Sequence, residues 1–240
     1  MKFSIVVPCF NEENYLPRLL DSINKVDWPR SDFEIIAVDN NCTDRTAEIA
    51  RGLGTDKIVK ESNQGLAWAR QRGFLSSQGE VFCSVDADCE MPSNWLKIVD
   101  SFLSREGVVA VSGFYNYIDL GRLDRTLTNA FQKFIYPLVP KILKLIFRKP
   151  AGLITGANFA AKRWAIEKTG GFNTAIRFWG EDADMAMKLA KVGKVIFTPK
   201  LEIRTSARRF RKEGRTRTIL KYFLNYLWIY FFNKPFVKEK

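Results

Sequence analysis

Strand-length apolar runs alternate with helical patterns through the first part of the chain, and each run closes on polar residues. The runs are Phe3 to Val7, Phe33 to Val38, the short Lys57 to Val59, and Val81 to Val85. A continuous apolar run suits a strand buried on both faces. Between the runs, Leu16, Leu19, Leu20 and Ile23 recur at helical spacing. Thr46 to Arg51 forms a second helical stretch, and Leu66, Ala69, Arg70 and Leu75 mark a third. Three strand–helix repeats feeding a fourth strand predict an α/β fold: a mainly parallel, doubly wound central sheet flanked by helices, with right-handed crossovers. In such a sheet ligands collect at the carboxyl ends of the strands.

The closures of the runs are therefore where chemistry is expected. The first is Pro8-Cys9-Phe10-Asn11-Glu12-Glu13, in which Asn11 is placed to cap the following helix and the two glutamates suit the positive end of its dipole. The second is Asp39-Asn40-Asn41-Cys42-Thr43-Asp44, and the fourth run ends in Asp86-Ala87-Asp88. Alone, an Asp-x-Asp is as consistent with two capping turn aspartates as with a metal or phosphate site. Three polar loops converging at one sheet edge favour the site.

Further along, Asn94 to Leu103 reads as a helix and Val108 to Gly113 as a strand. From Leu123 to Phe147 helical spacing is broken by Pro137 and Pro140. This is either an inserted helical segment leaning on a membrane or a core helix pair whose lysines snorkel. Gly152 to Ala161 alternates small and apolar residues, which lets a backbone approach a ligand closely, so Gly156 and Asn158 are candidate ligand contacts. A helix from Trp164 to Thr169 and a turn at Gly170 to Asn173 follow. Arg177-Phe178-Trp179-Gly180 then leads into Glu181-Asp182-Ala183-Asp184, at the start of a helix that runs to Gly193. Acids in a first helical turn contribute roughly a few tenths of a kcal/mol each, and three of them behind two aromatics exceed that role. The last strands are Val195 to Phe197 and Leu201 to Ile203.

Where the charge lies says more than its total of +12. Arg204 to Lys240 holds eleven Lys/Arg against Glu213 and Glu239, and Lys133 to Lys149 holds five with no acid; the remainder is slightly acidic. Both basic stretches are rich in large apolar residues, a pattern that favours an anionic membrane surface through 133–149 and 211–240. Neither reaches the ~20 apolar residues needed to span. The four cysteines lack C-x-x-C spacing and the chain has no His, which excludes a zinc set and fits buried, reduced thiols. The first apolar run is too short for a signal peptide, and the Asn41-Cys42-Thr43 sequon is discounted with it. The expectation is a cytoplasmic protein, peripheral on the inner face of the cell membrane. Its domain spans 1–210, with halves 1–113 and 150–205 around a helical insertion at 114–149, and a membrane-associating tail at 211–240.

Six stretches in order carry a resemblance: Val6 to Glu13, Val38 to Asp44, Asn63 to Arg70, Val85 to Asp88, Gly170 to Phe172, and Gly180 to Met185. Together they resemble the family 2 glycosyltransferases, inverting enzymes of the GT-A fold, over roughly residues 3–205. The resemblance implies transfer of a sugar from a nucleotide diphosphate sugar to an acceptor hydroxyl, with Mg²⁺ or Mn²⁺. By position, Pro8, Phe10, Asn11 and Glu12 would line the nucleotide pocket, with Asp39 on the base, Arg70 approaching from the next helix, and Asp86 and Ala87 beside the nucleotide. Asp88, with Asp86, would hold the metal, and Asp182 would be the general base. Glu181 would fix the loop or touch the acceptor, and Gly156, Asn158 and an aromatic platform at Trp179 fall on the acceptor side.

The chemistry is consistent with these roles. A departing diphosphate develops negative charge that a hard cation on carboxylate oxygens neutralises. A chain without His must use a carboxylate as base. Asn40 and Gln71 depart from the commoner Asp and Asn. Ser206-Ala207-Arg208-Arg209-Phe210 departs from the Gln-x-x-Arg-Trp of processive members. This predicts single addition to a lipid-linked or surface-polysaccharide acceptor, with Arg208 or Arg209 near a diphosphate. A sugar-phosphate nucleotidyltransferase would need a Gly-rich phosphate loop after the first strand, which is missing. A nucleic-acid-binding module would use the basic aromatic tail but leave the strand-end carboxylates without a purpose; no nucleic-acid partner is expected.

Overall fold

The computed structural model describes residues 1–176 and 180–234. The chain runs β1 (Phe3–Cys9), α1 (Leu16–Asn24), β2 (Phe33–Asp39), α2 (Thr46–Gly52), β3 (Lys57–Lys60), α3 (Leu66–Ser76), β4 (Val81–Val85), β5 (Cys89–Glu90) and α4 (Trp95–Leu103). It continues through β6 (Val108–Ser112), β7 (Tyr115–Tyr117), α5 (Arg122–Phe134), α6 (Leu138–Phe147), β8 (Asn158–Lys162) and α7 (Arg163–Lys168). The remainder is α8 (Glu181–Val192), β9 (Lys194–Phe197), β10 (Ile203–Thr205), α9 (Arg208–Glu213) and α10 (Arg215–Phe232).

The seven-stranded sheet has the order β3-β2-β1-β4-β8-β6-β9. Its first four strands are mutually parallel, as the alternating runs predict. The period of two divides β1 and β2 between the sheet's faces. Ile5, Val7, Ile35 and Ala37 join α1 and α4 in one core, whereas Val6, Ile36 and Val38 join α3, α7 and α8 in the other. The sequence order misses one placement: β8 lies between β4 and β6, antiparallel to both. The run at 108–112 is thus separated from β4 by a later strand.

Two further expectations change. Of the 201–203 stretch only Ile203 is in a strand, β10, which pairs with β5 and β7 in a second, three-stranded sheet. The stretch after Gly113, where periodicity blurs, supplies β7. The tail is also not separate from the domain. Ile229 and Tyr230 of α10 are buried with Met187 of α8 and Leu143 of α6 in a third cluster, and the Tyr226 hydroxyl donates to Gly152 O at 2.8 Å. α10 nevertheless leaves Leu220, Phe223 and Phe232 exposed, as α6 leaves Leu145 and Ile146. Among the described residues no helix is long and apolar enough to cross a membrane, and the four cysteines are free thiols.

Candidate active site

β4 ends where its ladder with β1 and β8 ends, and the next residues turn away as Asp86-Ala87-Asp88. Ala87 is buried in the core and leaves only its backbone for a ligand. Asp86 Oδ1 accepts from Arg70 Nη2 at 2.8 Å, and Asp86 keeps about a third of its side chain exposed (32%). Arg70, on α3, is 1% exposed; its Nη1 donates to Glu181 Oε1 at 2.6 Å and its Nε to Ser84 Oγ at 3.1 Å. It ties the end of β4 to the start of α8. Gly156 permits this, because a Cβ there would lie 2.7 Å from Arg70 Nη1.

Glu181 is buried on Arg70, and its Oε2 has no hydrogen-bond partner among the described residues. Burial pushes its carboxyl pKa up, and the neighbouring Asp182 charge adds to this. Asp182 follows at the first turn of α8, with Oδ1 accepting from the Ala183 N–H at 2.8 Å. Burial raises its pKa too, opposed by Arg70 and by backbone N–H groups. A raised pKa makes an ionised Asp182 a stronger proton acceptor than a solvated aspartate.

Asp88 is held differently. Arg208 of α9 places Nε 3.0 Å from Asp88 Oδ2, and its Nη1 donates to Glu12 Oε2 at 2.9 Å. Its guanidinium lies 4.8 Å from the centre of the Tyr15 ring. Arg208 thus bridges the first strand-end loop to the Asp-x-Asp turn. Burial still raises the Asp88 pKa, with Arg208 opposing it. Asp86, Asp88, Asp182, Gly156, Arg208 and Arg209 all line one polar cavity of about 120 Å³. The 86–88 turn and the 181–182 turn, nearly a hundred residues apart in sequence, share that space.

Other predicted residues fall elsewhere. Pro8 is buried within β1, opposite Val38. Phe10 is exposed. Asn11 caps no helix, because α1 begins at Leu16. It takes a positive φ of 55°, and its Oδ1 accepts the Thr43 N–H at 2.8 Å, joining the first two strand-end loops. Glu12 and Glu13 likewise precede α1. Asp39 Oδ1 accepts the Cys42 N–H at 2.9 Å, which shapes its own loop.

Asn158 is scaffold and not an acceptor contact. It is fully buried, donating to Phe114 O and Leu201 O and accepting from Trp95 Nε1, so its amide is fully engaged. Trp179 lies outside the described residues. The sequence reading missed Tyr115, whose hydroxyl accepts the Ala157 N–H at 2.9 Å, and Tyr222, which pairs with Arg209; both line the cavity. The Tyr115-x-Tyr117 alternation was the available signal for the first.

The chain as a whole has counterparts among known proteins. The model of the family described as glycosyl transferase family 2 matches residues 4–170. The chain belongs to that family.

Among family 2 relatives, glycosyltransferase AglE of Haloferax volcanii is 31% identical over 115 residues, 46% of this chain and 38% of that protein. The probable glycosyltransferase YdaM of Bacillus subtilis is 27% identical over 202 residues, 80% of this chain and 47% of that one. The chain thus spans less than half the length of these curated relatives. Among solved structures, the mannosyltransferase PcManGT from Pyrobaculum calidifontis, in complex with GDP-Man and Mn²⁺, superposes with a TM-score of 0.69 at 22% identity. The match covers 92% of this chain and 59% of that one. S. aureus TarS 1-349 in complex with UDP gives 0.67 at 19%, over 95% and 72%. These likenesses establish the GT-A fold.

The structure also gives roles to two of the three departures, Asn40 and Gln71. Asn40 is buried; its Nδ2 donates to Glu61 O and Asn63 O while its Oδ1 accepts the Gly65 N–H. An aspartate could not supply the two donations. Gln71 Oε1 accepts the Phe172 N–H at 2.8 Å, fixing the Gly170-Gly171-Phe172 turn on α3. As to a metal, Asp86 and Asp88 offer hard oxygen donors suited to Mg²⁺ or Mn²⁺. Among the described residues no group of three acidic, His or Cys side chains is placed to hold a metal ion, so the pair would supply only part of a coordination shell.

Proposed function

We propose that this family 2 chain is the catalytic part of a metal-dependent, inverting glycosyltransferase. It moves one sugar from a nucleotide diphosphate sugar to a hydroxyl of a lipid-linked or surface-polysaccharide acceptor. The observation that carries the reading is the meeting of Asp86 and Asp88 with Asp182 on one polar cavity. The PcManGT complex with GDP-Man and Mn²⁺, and the TarS complex with UDP-GlcNAc, support a nucleotide sugar as donor.

Asp88 and Asp86 would hold a divalent cation with the diphosphate completing its shell, and the cation would supply charge neutralisation to the leaving group. Asp182 acts on the other side. The acceptor oxygen attacks the anomeric carbon from the face opposite the diphosphate and forms the new C–O bond. The bond from that carbon to the diphosphate oxygen breaks, its electron pair leaves with the diphosphate, and the acceptor proton passes to the Asp182 carboxylate. A base within ~3 Å of the attacking hydroxyl is required. Arg70 positions both carboxylate turns, while Arg208 and Arg209 stand where diphosphate charge would arrive. The altered Ser206 to Phe210 stretch supports single addition. Exposed apolar residues on α5, α6 and α10 beside Lys and Arg support peripheral attachment to the inner face of the cell membrane.

The test is a screen of UDP-, GDP- and dTDP-sugars for slow hydrolysis with Mg²⁺ or Mn²⁺, followed by transfer assays. Asp182→Asn should still bind the donor but lose about 10²–10⁴-fold in transfer. Full transfer by Asp182→Asn would refute the base, and a long polymer made by the unmodified chain would refute single addition.

A further inference from the structure

A second cavity, of about 530 Å³, lies against the polar one and differs from it in chemistry. Its walls come from α5, α6, the 153–155 segment and α10, and most are hydrocarbon: Phe131, Ile135, Val139, Leu153, Ile219 and Phe223 among them. Its volume lies within the ~300–1,000 Å³ typical of small-ligand pockets. The two cavities share Tyr115, Tyr117, Gly180, Asp182, Phe210 and Tyr222 as walls, so the carboxylate assigned the proton sits at their junction.

The far side opens outward. Phe131, Ile135, Leu220 and Phe223 line the cavity and are yet 44%, 42%, 54% and 48% exposed, so its rim lies on the apolar surface formed by α5 and α10. An apolar surface thus continues through an apolar cavity to a carboxylate. Saccharide subsites are built on hydrogen-bonding partners; this cavity has some, among them Tyr136, Thr155 and Asn225, but most of its wall surface is apolar. A hydrocarbon chain needs no such partners.

The base decides the head group. Among the described residues, Asp182 and Arg215 are the charged side chains lining the apolar cavity, and Arg215 is ion-paired with Asp124 of α5. At the junction an anionic head would meet Asp182 and Glu181 as well as Arg209, whose partner Tyr222 walls both cavities, so charge there is mixed. An ionised phosphate would need no base to attack, whereas a neutral hydroxyl needs the one assigned to Asp182.

Resting on the glycosyltransferase reading, we infer that this cavity holds the hydrocarbon chain of a neutral, hydroxyl-headed lipid, which presents its hydroxyl to Asp182 as the acceptor. The bond changes are those given above, with the lipid oxygen as attacking atom and a glycolipid and nucleoside diphosphate as products.

The experiment uses the full chain and n-alkanols from hexanol to decanol, kept below their solubility limits, with binding read by calorimetry. Affinity should rise about fourfold per added methylene, the factor that burying a CH₂ corresponds to. Octyl phosphate should bind at least tenfold more weakly than octanol. Val139→Trp and Ile219→Trp, each checked for a native circular dichroism spectrum, should weaken octanol binding at least tenfold. With the donor identified by hydrolysis, alkanols should be converted to alkyl glycosides faster as the chain lengthens. Flat chain-length dependence, equal binding of octyl phosphate, or equally fast transfer to a chain-free saccharide would overturn the assignment. Hydrolysis of donor by a protein that neither binds nor glycosylates alkanols would sink the cavity assignment and leave the enzyme reading standing. Chain-length-dependent binding with no turnover of any donor would sink the acceptor role together with the enzyme reading.

Discussion

Arg70 gives the site its internal logic, because one buried guanidinium holds Asp86 and Glu181 while Ser84 steadies its Nε. Removing one partner of a buried ion pair leaves an uncompensated charge that costs about 3–5 kcal/mol. Arg70→Met should destabilise the fold by that amount, read as a lower urea midpoint with an unchanged m-value. The same arginine lowers the pKa that burial raises at Asp182. A base works ionised, so a raised pKa means that activity is already lost as pH falls through a value above the ordinary aspartate range. The pH profile of kcat/KM should therefore show an acid limb displaced upward from that range, with activity rising toward neutral pH. An acid limb at or below the usual aspartate value would contradict a buried base.

At the scale of elements, α10 is only partly covered by its neighbours. Ile229 and Tyr230 pack on α6 and α8, so this helix is part of the core, while Leu220, Phe223 and Phe232 remain uncovered. α6 divides in the same way, with Leu143 inside and Leu145 and Ile146 80% and 62% exposed. Replacing exposed residues changes stability little, within about 0.5 kcal/mol each. Leu145→Glu combined with Ile146→Glu should therefore leave the thermal midpoint nearly unchanged while reducing binding to anionic vesicles several-fold in a flotation assay. Undiminished flotation would remove α6 from the proposed membrane-facing surface. At Leu123 to Phe147 the sequence left open an inserted helical segment leaning on a membrane or a core helix pair whose lysines snorkel. Only Gln132 of α5 and Leu143 of α6 are buried, so neither is a core helix, and the membrane reading rests with the flotation assay.

For the whole molecule, the positive charge is concentrated in the insertion and the C-terminal helices, and the remainder is slightly acidic. Attraction of such an asymmetric charge to anionic lipid is screened over a Debye length of about 8–10 Å near physiological salt. Vesicle binding should weaken as salt rises from 50 to 500 mM and depend on anionic lipid content. Salt-independent binding would point to apolar contact alone. The sequence by itself determined the alternation of strands and helices, the placement of Asp86-Ala87-Asp88 at a strand end, and the acidic start of α8. Each of these follows from periodicity or turn chemistry within a short window. Only the tertiary structure decided how those groups are used. Arg70 meets Glu181 across 111 residues and Arg208 meets Glu12 across 196, and a strand from beyond the insertion enters the sheet beside β4. It also committed Asn158 to the scaffold and Asn11 to a loop tie, and set an apolar cavity against a polar one with Asp182 between them. Local preference is written in neighbouring residues, whereas the partner of a buried charge is fixed by how distant elements pack.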